Sequence, residues 1–124
     1  MAAVLGRGRF RVLCDLGYDI TMGRTHDLGW GYLPGWVQPV RCIGSDHPAG
    51  YTPDLVQQAH ADVVAGTSIA EAGVYEEVCR ELASRLVQTF VRENVRLLVV
   101  ENGTLPDNPL FTEALLHAIG HYGA

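Results

Sequence analysis

The stretch Glu101-Asn102-Gly103-Thr104 is the part of this sequence best suited to hold a small polar molecule. Its carboxylate accepts hydrogen bonds from hydroxyls, its amide both donates and accepts, and its glycine lets a ligand approach the backbone closely. The same Asn-Gly pair also suits a plain turn, with Glu101 a solvated carboxylate beside it. A second stretch is Gly23-Arg24-Thr25-His26-Asp27, where His26 and Asp27 could serve as a proton-transfer pair. Asp46-His47 offers another such pair. Adjacent loop residues rarely direct both side chains at one ion, and no third ligand stands at a telling spacing. No metal site is expected.

Other reactive types lack the company they need. Gly6-Arg7-Gly8 hints at an anion-binding loop, but Arg11 stands where a third glycine would fall. Ser45 and Ser84 have neither an elbow motif nor a base at meaningful spacing, which argues against a serine hydrolase. Trp30 and Trp36 could stack against a sugar ring or anchor a loop. His60, His117 and His121 fall on polar helical faces or near the end and are expected in solvent.

The whole chain sets bounds on these options. With 124 residues it is expected to form one domain, and 48% apolar against 19% charged residues is a globular composition. Nine arginines, no lysine and fourteen acids give 9 − 14 = −5, which argues against a general nucleic-acid binder. Arg7, Arg9 and Arg11 nonetheless form a small basic patch. Apolar runs such as Leu97–Val100 fall far short of the ~20 residues that span a bilayer. No apolar signal core precedes the first arginines, so a cytoplasmic protein is expected. Cys14, Cys42 and Cys79 fit neither a disulfide framework nor a zinc pattern, and read as reduced, mostly packed thiols.

The elements that would position these residues follow from periodicity and punctuation. Phe10, Val12, Leu13 and Leu16 predict a short helix over 9–16 that stops at Gly17. Strands are expected over 18–22 and 36–43, the second at a sheet edge or a bulge because of Pro39. Thr52-Pro53-Asp54 supplies a cap, a first-turn proline and an acid for a helix with Leu55, Val56, Ala59 and Val63 on one face, ending at Gly66. Ser68–Glu71 has capping-box spacing. Tyr75, Val78, Cys79, Leu82, Leu86 and Phe90 then form the clearest helical stripe. Arg96-Leu97-Leu98-Val99-Val100 has no alternation, and so predicts a central parallel strand covered on both faces. Asn108-Pro109 opens a last helix with Leu110, Phe111, Ala114, Leu115 and Ala118 apolar. A buried strand between long helices predicts an α/β fold, a mostly parallel, layered sheet. Its strand ends would carry the site.

The order of helix, Leu16–Thr21, loop, Ser45-Asp46-His47-Pro48, long helix and Val99–Leu110 resembles the amino-terminal domain of family 4 retaining glycosyltransferases. The distinctive part is Glu101–Leu110, and the resemblance spans about residues 9–119. It implies a GT-B architecture, and here a single Rossmann-like domain over 1–124 that is expected to be incomplete. It also implies sugar transfer from a nucleotide-sugar donor, with no other cofactor, to a sugar or glycoside acceptor. Glu101, Asn102, Gly103, Thr104, Asn108 and His26 would bind substrate on the acceptor side, and no catalytic residue is assigned. The donor-binding domain of that family is missing from this sequence, and only Met1–Gly8 could supply its usual opening strand and glycine-rich loop. The expectation is a truncated piece, inactive alone, that joins a carboxyl-terminal donor domain or forms a homo-oligomer. The alternative is a small α/β interaction or oligomerisation module without catalysis. A third reading is an independent small α/β enzyme acting at the strand-end loops.

Overall fold

A computed structural model describes residues 11–14, 18–19, 24–25, 34–39, 47–99 and 108–123. The chain divides into two compact units, Met1–Asp46 and His47–Ala124. In the first, β1 (Val12–Cys14) pairs in parallel with β4 (Val37–Pro39), setting Val12 against Val37 and Cys14 against Pro39. β2 (Tyr18–Asp19) pairs antiparallel with β3 (Arg24–Thr25). Of the strands expected at 18–22 and 36–43, Tyr18–Asp19 and Val37–Pro39 are paired, and Pro39 sits in a two-stranded ladder, where a missing N–H is tolerated.

The helix expected over 9–16 is not formed, because Val12–Cys14 is a strand. Eight residues are too few to hold a helix on propensity alone, so pairing with β4 decides the conformation.

The second unit is helical, with α1 (Pro53–Ala65), α2 (Ala72–Glu93) and α3 (Pro109–Gly123). α1 begins as the sequence predicts: the Thr52 hydroxyl accepts from the Leu55 amide at 3.3 Å, and Pro53 fills the first turn. It ends at Gly66, whose φ of 70° is left-handed and free of Cβ penalty there. The Gly66 and Thr67 amides turn back to the Val63 and Asp62 carbonyls, closing a Schellman motif. α2 ends the same way with Asn94 at φ 51°, and the Val95 amide returns to the Phe90 carbonyl.

The start of α2 differs from expectation. Glu71 precedes the first helical residue and makes no side-chain cap bond, so the Ser68–Glu71 box is not closed. Asp62 wins the loop instead: its carboxylate accepts the Ala70 amide at 2.8 Å and its carbonyl accepts the Thr67 hydroxyl at 3.2 Å. A charged acceptor at the end of α1 makes a stronger bond to that loop than a serine hydroxyl.

The core of this unit lies mainly between α2 and α3, its most extensive helix pair. Every residue of the predicted α2 stripe is buried, with Ala83 added, and Leu110, Ala114, Leu115 and Ala118 face it from α3. Val56 and Ala59 of α1 and the preceding Tyr51 complete the core, whereas Val63 on the expected face is exposed. A Cβ on Gly50 would fall 2.8 Å from Val78 Cγ2, so only glycine lets the chain approach α2 this closely.

α2 and α3 run in the same direction. Cys79 meets Leu110 near the start of α3, and Phe90 meets Tyr122 near its end, with ring centroids 5.5 Å apart. The Tyr122 hydroxyl donates to the Val95 carbonyl at 2.7 Å, while Asn108 caps the opposite end of α3.

The predicted Rossmann-like layered sheet is not what forms. The described residues are mostly helical, and their strands are two short pairs, one parallel and one antiparallel. Leu97–Val99, expected in the middle of a sheet, belongs to neither ladder and has no regular secondary structure. Leu97 is 82% and Val99 83% exposed, with Leu98 at 39%. A central strand needs neighbours on both edges and cover on both faces, and apolar content alone supplies neither.

Candidate functional site

Of the six residues predicted to bind substrate, Glu101, Asn102, Gly103, Thr104 and His26 lie outside the described residues. Asn108 is described, at the start of α3. Its Oδ1 accepts the Phe111 amide at 3.0 Å, which caps α3, and its Nδ2 donates to the Tyr51 hydroxyl at 2.8 Å. Its carbonyl accepts the Thr112 hydroxyl at 3.2 Å. Both ends of the side-chain amide are thus engaged in fixing α3 to the segment before α1. Tyr51 is buried, and its ring meets His47 edge-on at 5.8 Å. The signal for this role was already present: asparagine directly before a first-turn proline is a preferred cap.

Among the described residues, the remaining candidates do not assemble into a catalytic group. Asp46, Asp27, Ser45, Trp30 and Cys42 lie outside the described residues. Ser84 is exposed and accepts from Gln88 at 3.4 Å. Trp36 is half exposed just ahead of β4. His117 and His121 are exposed, as their polar faces predict, and His60 is half-buried. Cys79 is a buried thiol and Cys14 a half-buried one. Among the described residues, no three metal-ligating side chains converge.

One cluster of titratable groups crosses between helices, and sequence reading missed it. The Tyr75 hydroxyl on α2 donates to Glu113 Oε2 on α3 at 3.0 Å, and Glu113 Oε1 lies 3.9 Å from His117 Nε2. Burial, then the bond to Glu113 and the charge on that carboxylate, push the Tyr75 phenol well above its ordinary range. Burial, followed by the Glu113 charge, raises the Cys79 thiol to about 11. Both groups keep their protons near neutrality, so neither is a ready nucleophile or base. Tyr75 lies in the apolar stripe, and only its polar tip distinguishes it in sequence from a plain core residue.

The most conspicuous surface feature is apolar. Beyond Leu97–Val99, the unit exposes Val91 near the end of α2, and Leu116 and Ile119 three residues apart on α3. No helix among the described residues is long and apolar enough to cross a membrane. No family model, curated protein or solved structure matches this chain.

Proposed function

We propose that this chain is an oligomerisation module, in which the run Arg96–Val99 pairs with the same run of a second copy. The observation that carries this reading is the exposure pattern of 82%, 39% and 83% along Leu97, Leu98 and Val99. Such alternation is what strand geometry gives a run with one face toward its own body. Here it occurs in a segment that belongs to neither ladder of the described residues. In an extended conformation such a run offers N–H and C=O groups that another extended chain can take up.

A second copy suits this edge. In a two-fold antiparallel pairing about Leu98, Leu97 of each copy stands opposite Val99 of the other, and the two Arg96 residues lie at opposite ends. Parallel alignment would set Arg96 against Arg96, which is unfavourable. The acidic, lysine-free composition supports a protein partner over a nucleic acid. The buried Cys79 thiol supports a reducing, cytoplasmic setting.

The sugar-transfer reading rests on the family resemblance alone, since the buried strand that would deliver Glu101 and Asn102 to a crevice is not formed. Sedimentation velocity over a concentration series separates the two readings. A dimer that becomes monomeric in the Leu97→Asp/Val99→Asp variant, with its helical circular dichroism unchanged, is the expected result. A parent chain that stays monomeric throughout, or saturable heat on titration with UDP-glucose or a methyl glucoside, would overturn it.

A further inference from the structure

Glu113, His117 and His121 stand at successive four-residue steps along α3. We infer that His117 and His121 chelate a divalent transition-metal ion of the zinc, nickel or copper class, with Glu113 and Tyr75 as positioning residues. Four-residue spacing on a continuous helix brings side-chain origins to about 5–6 Å and onto one face. This is the spacing by which a helix presents two imidazoles to one ion. The His117 side chain is 68% exposed and His121 is exposed, so an ion can reach both rings. Gly120, between them in sequence, has open space where a side chain would project.

The second observation is the support behind His117. The buried Tyr75 holds Glu113 through Oε2, leaving Oε1 directed at one His117 ring nitrogen. A carboxylate on the non-ligating nitrogen fixes the tautomer and the ring orientation, a recurrent arrangement behind metal-bound histidines. The 3.9 Å separation must shorten by about 1 Å to become a hydrogen bond. The exposed imidazole has room to make that move. Glu113 and His121 are eight residues apart, about 12 Å along the axis, so they do not share an ion and Glu113 acts through His117. Two imidazoles leave the remaining coordination positions to water, and copper is expected to bind more tightly than nickel or zinc. The chelate does not use Arg96–Val99, so it stands or falls independently of the oligomerisation reading.

Calorimetric titration of the full chain with nickel chloride tests it. Saturable binding is expected, weakened at least ~10-fold by His117→Ala and equally by His121→Ala, because each leaves a single imidazole. Glu113→Gln and Tyr75→Phe are expected to weaken it ~10-fold while retaining both ligands. Cys14→Ser is expected to leave it unchanged, which separates the chelate from thiol binding. Circular dichroism checks that each variant keeps its helices. A parent chain that binds no nickel, or a His117→Ala/His121→Ala variant that binds it as tightly as the parent, would overturn the site. Unchanged affinity in both Glu113→Gln and Tyr75→Phe would overturn the positioning roles.

Discussion

The stripe on α2 and the run that follows it are built from similar residues, yet the stripe is buried and the run is not. Tyr75, Val78, Cys79, Leu82, Leu86 and Phe90 close against α3. Leu97 and Val99, a few residues later, are more than four-fifths exposed. The difference lies in the backbone. A helix satisfies its own N–H and C=O groups, so its apolar face needs only one complementary surface to be buried. An extended run leaves those groups open and must find a neighbouring strand as well as a covering face. The second unit supplies a complementary surface for α2, and the described ladders supply no neighbour for Leu97–Val99. Covered apolar surface holds the unit together, and uncovered apolar surface is what it can offer a partner.

The contrast breaks most sharply under truncation. Leu82→Ala, in a fully buried position, is expected to cost ~2–5 kcal/mol in urea unfolding monitored by helical dichroism. Leu97→Ala, measured in dilute solution, is expected to stay within ~0.5 kcal/mol of the parent. Equal losses at the two positions would mean that the run is part of the folded core.

A pH series sharpens the same comparison from the buried side. Cys79 ionises at about 11 in the folded chain, raised from an ordinary 9.0 mainly by burial. The unfolded chain therefore loses this proton first. The stabilisation is fully present below pH 9 and is lost as pH rises from 9 through 11, by an amount of the order of 2 kcal/mol. The urea midpoint should fall over that window, and more gently in Cys79→Ala. A midpoint equally steep in that variant would assign the loss to other groups. Tyr75 is shifted in the same direction, and its contribution is lost at still higher pH.

Smaller effects test how the helices are anchored. Asn108→Ala removes both the α3 cap and the bond to Tyr51, and is expected to cost ~1–2 kcal/mol in the same unfolding assay. No measurable loss would mean that neither the cap nor the Tyr51 bond anchors α3. Glu81→Ala breaks an exposed pair with Arg85 at 3.2 Å and should cost only ~0.2–0.5 kcal/mol.

What the sequence revealed follows the same division. The α2 stripe, the Thr52 cap, the Gly66 stop and the start of α3 were legible because each is written within a few neighbouring residues. The Ser68–Glu71 box was misleading because Asp62, eight residues before Ala70, competes for the same loop, and local spacing cannot show a competitor. Val12–Cys14 reads as part of a helix until its partner, Val37–Pro39, is known. Arg96–Val99 carries strand composition without any mark of whether a neighbour exists, and the expected layered sheet depended on one. Asn108, singled out for substrate, is seen capping α3 and bonding Tyr51, a pairing between positions 57 residues apart that local spacing does not show. Of the other five proposed substrate-binding residues, none falls among the described residues.

Hydrogen–deuterium exchange at the Leu97, Leu98 and Val99 amides, followed as a function of protein concentration, tests the central claim most directly. Fast exchange in dilute solution that slows as concentration rises, while the α2 amides stay protected throughout, is the predicted result. Slow exchange at every dilution would mean that the run is already paired within its own chain. Fast exchange at every concentration would mean that no second copy takes it up.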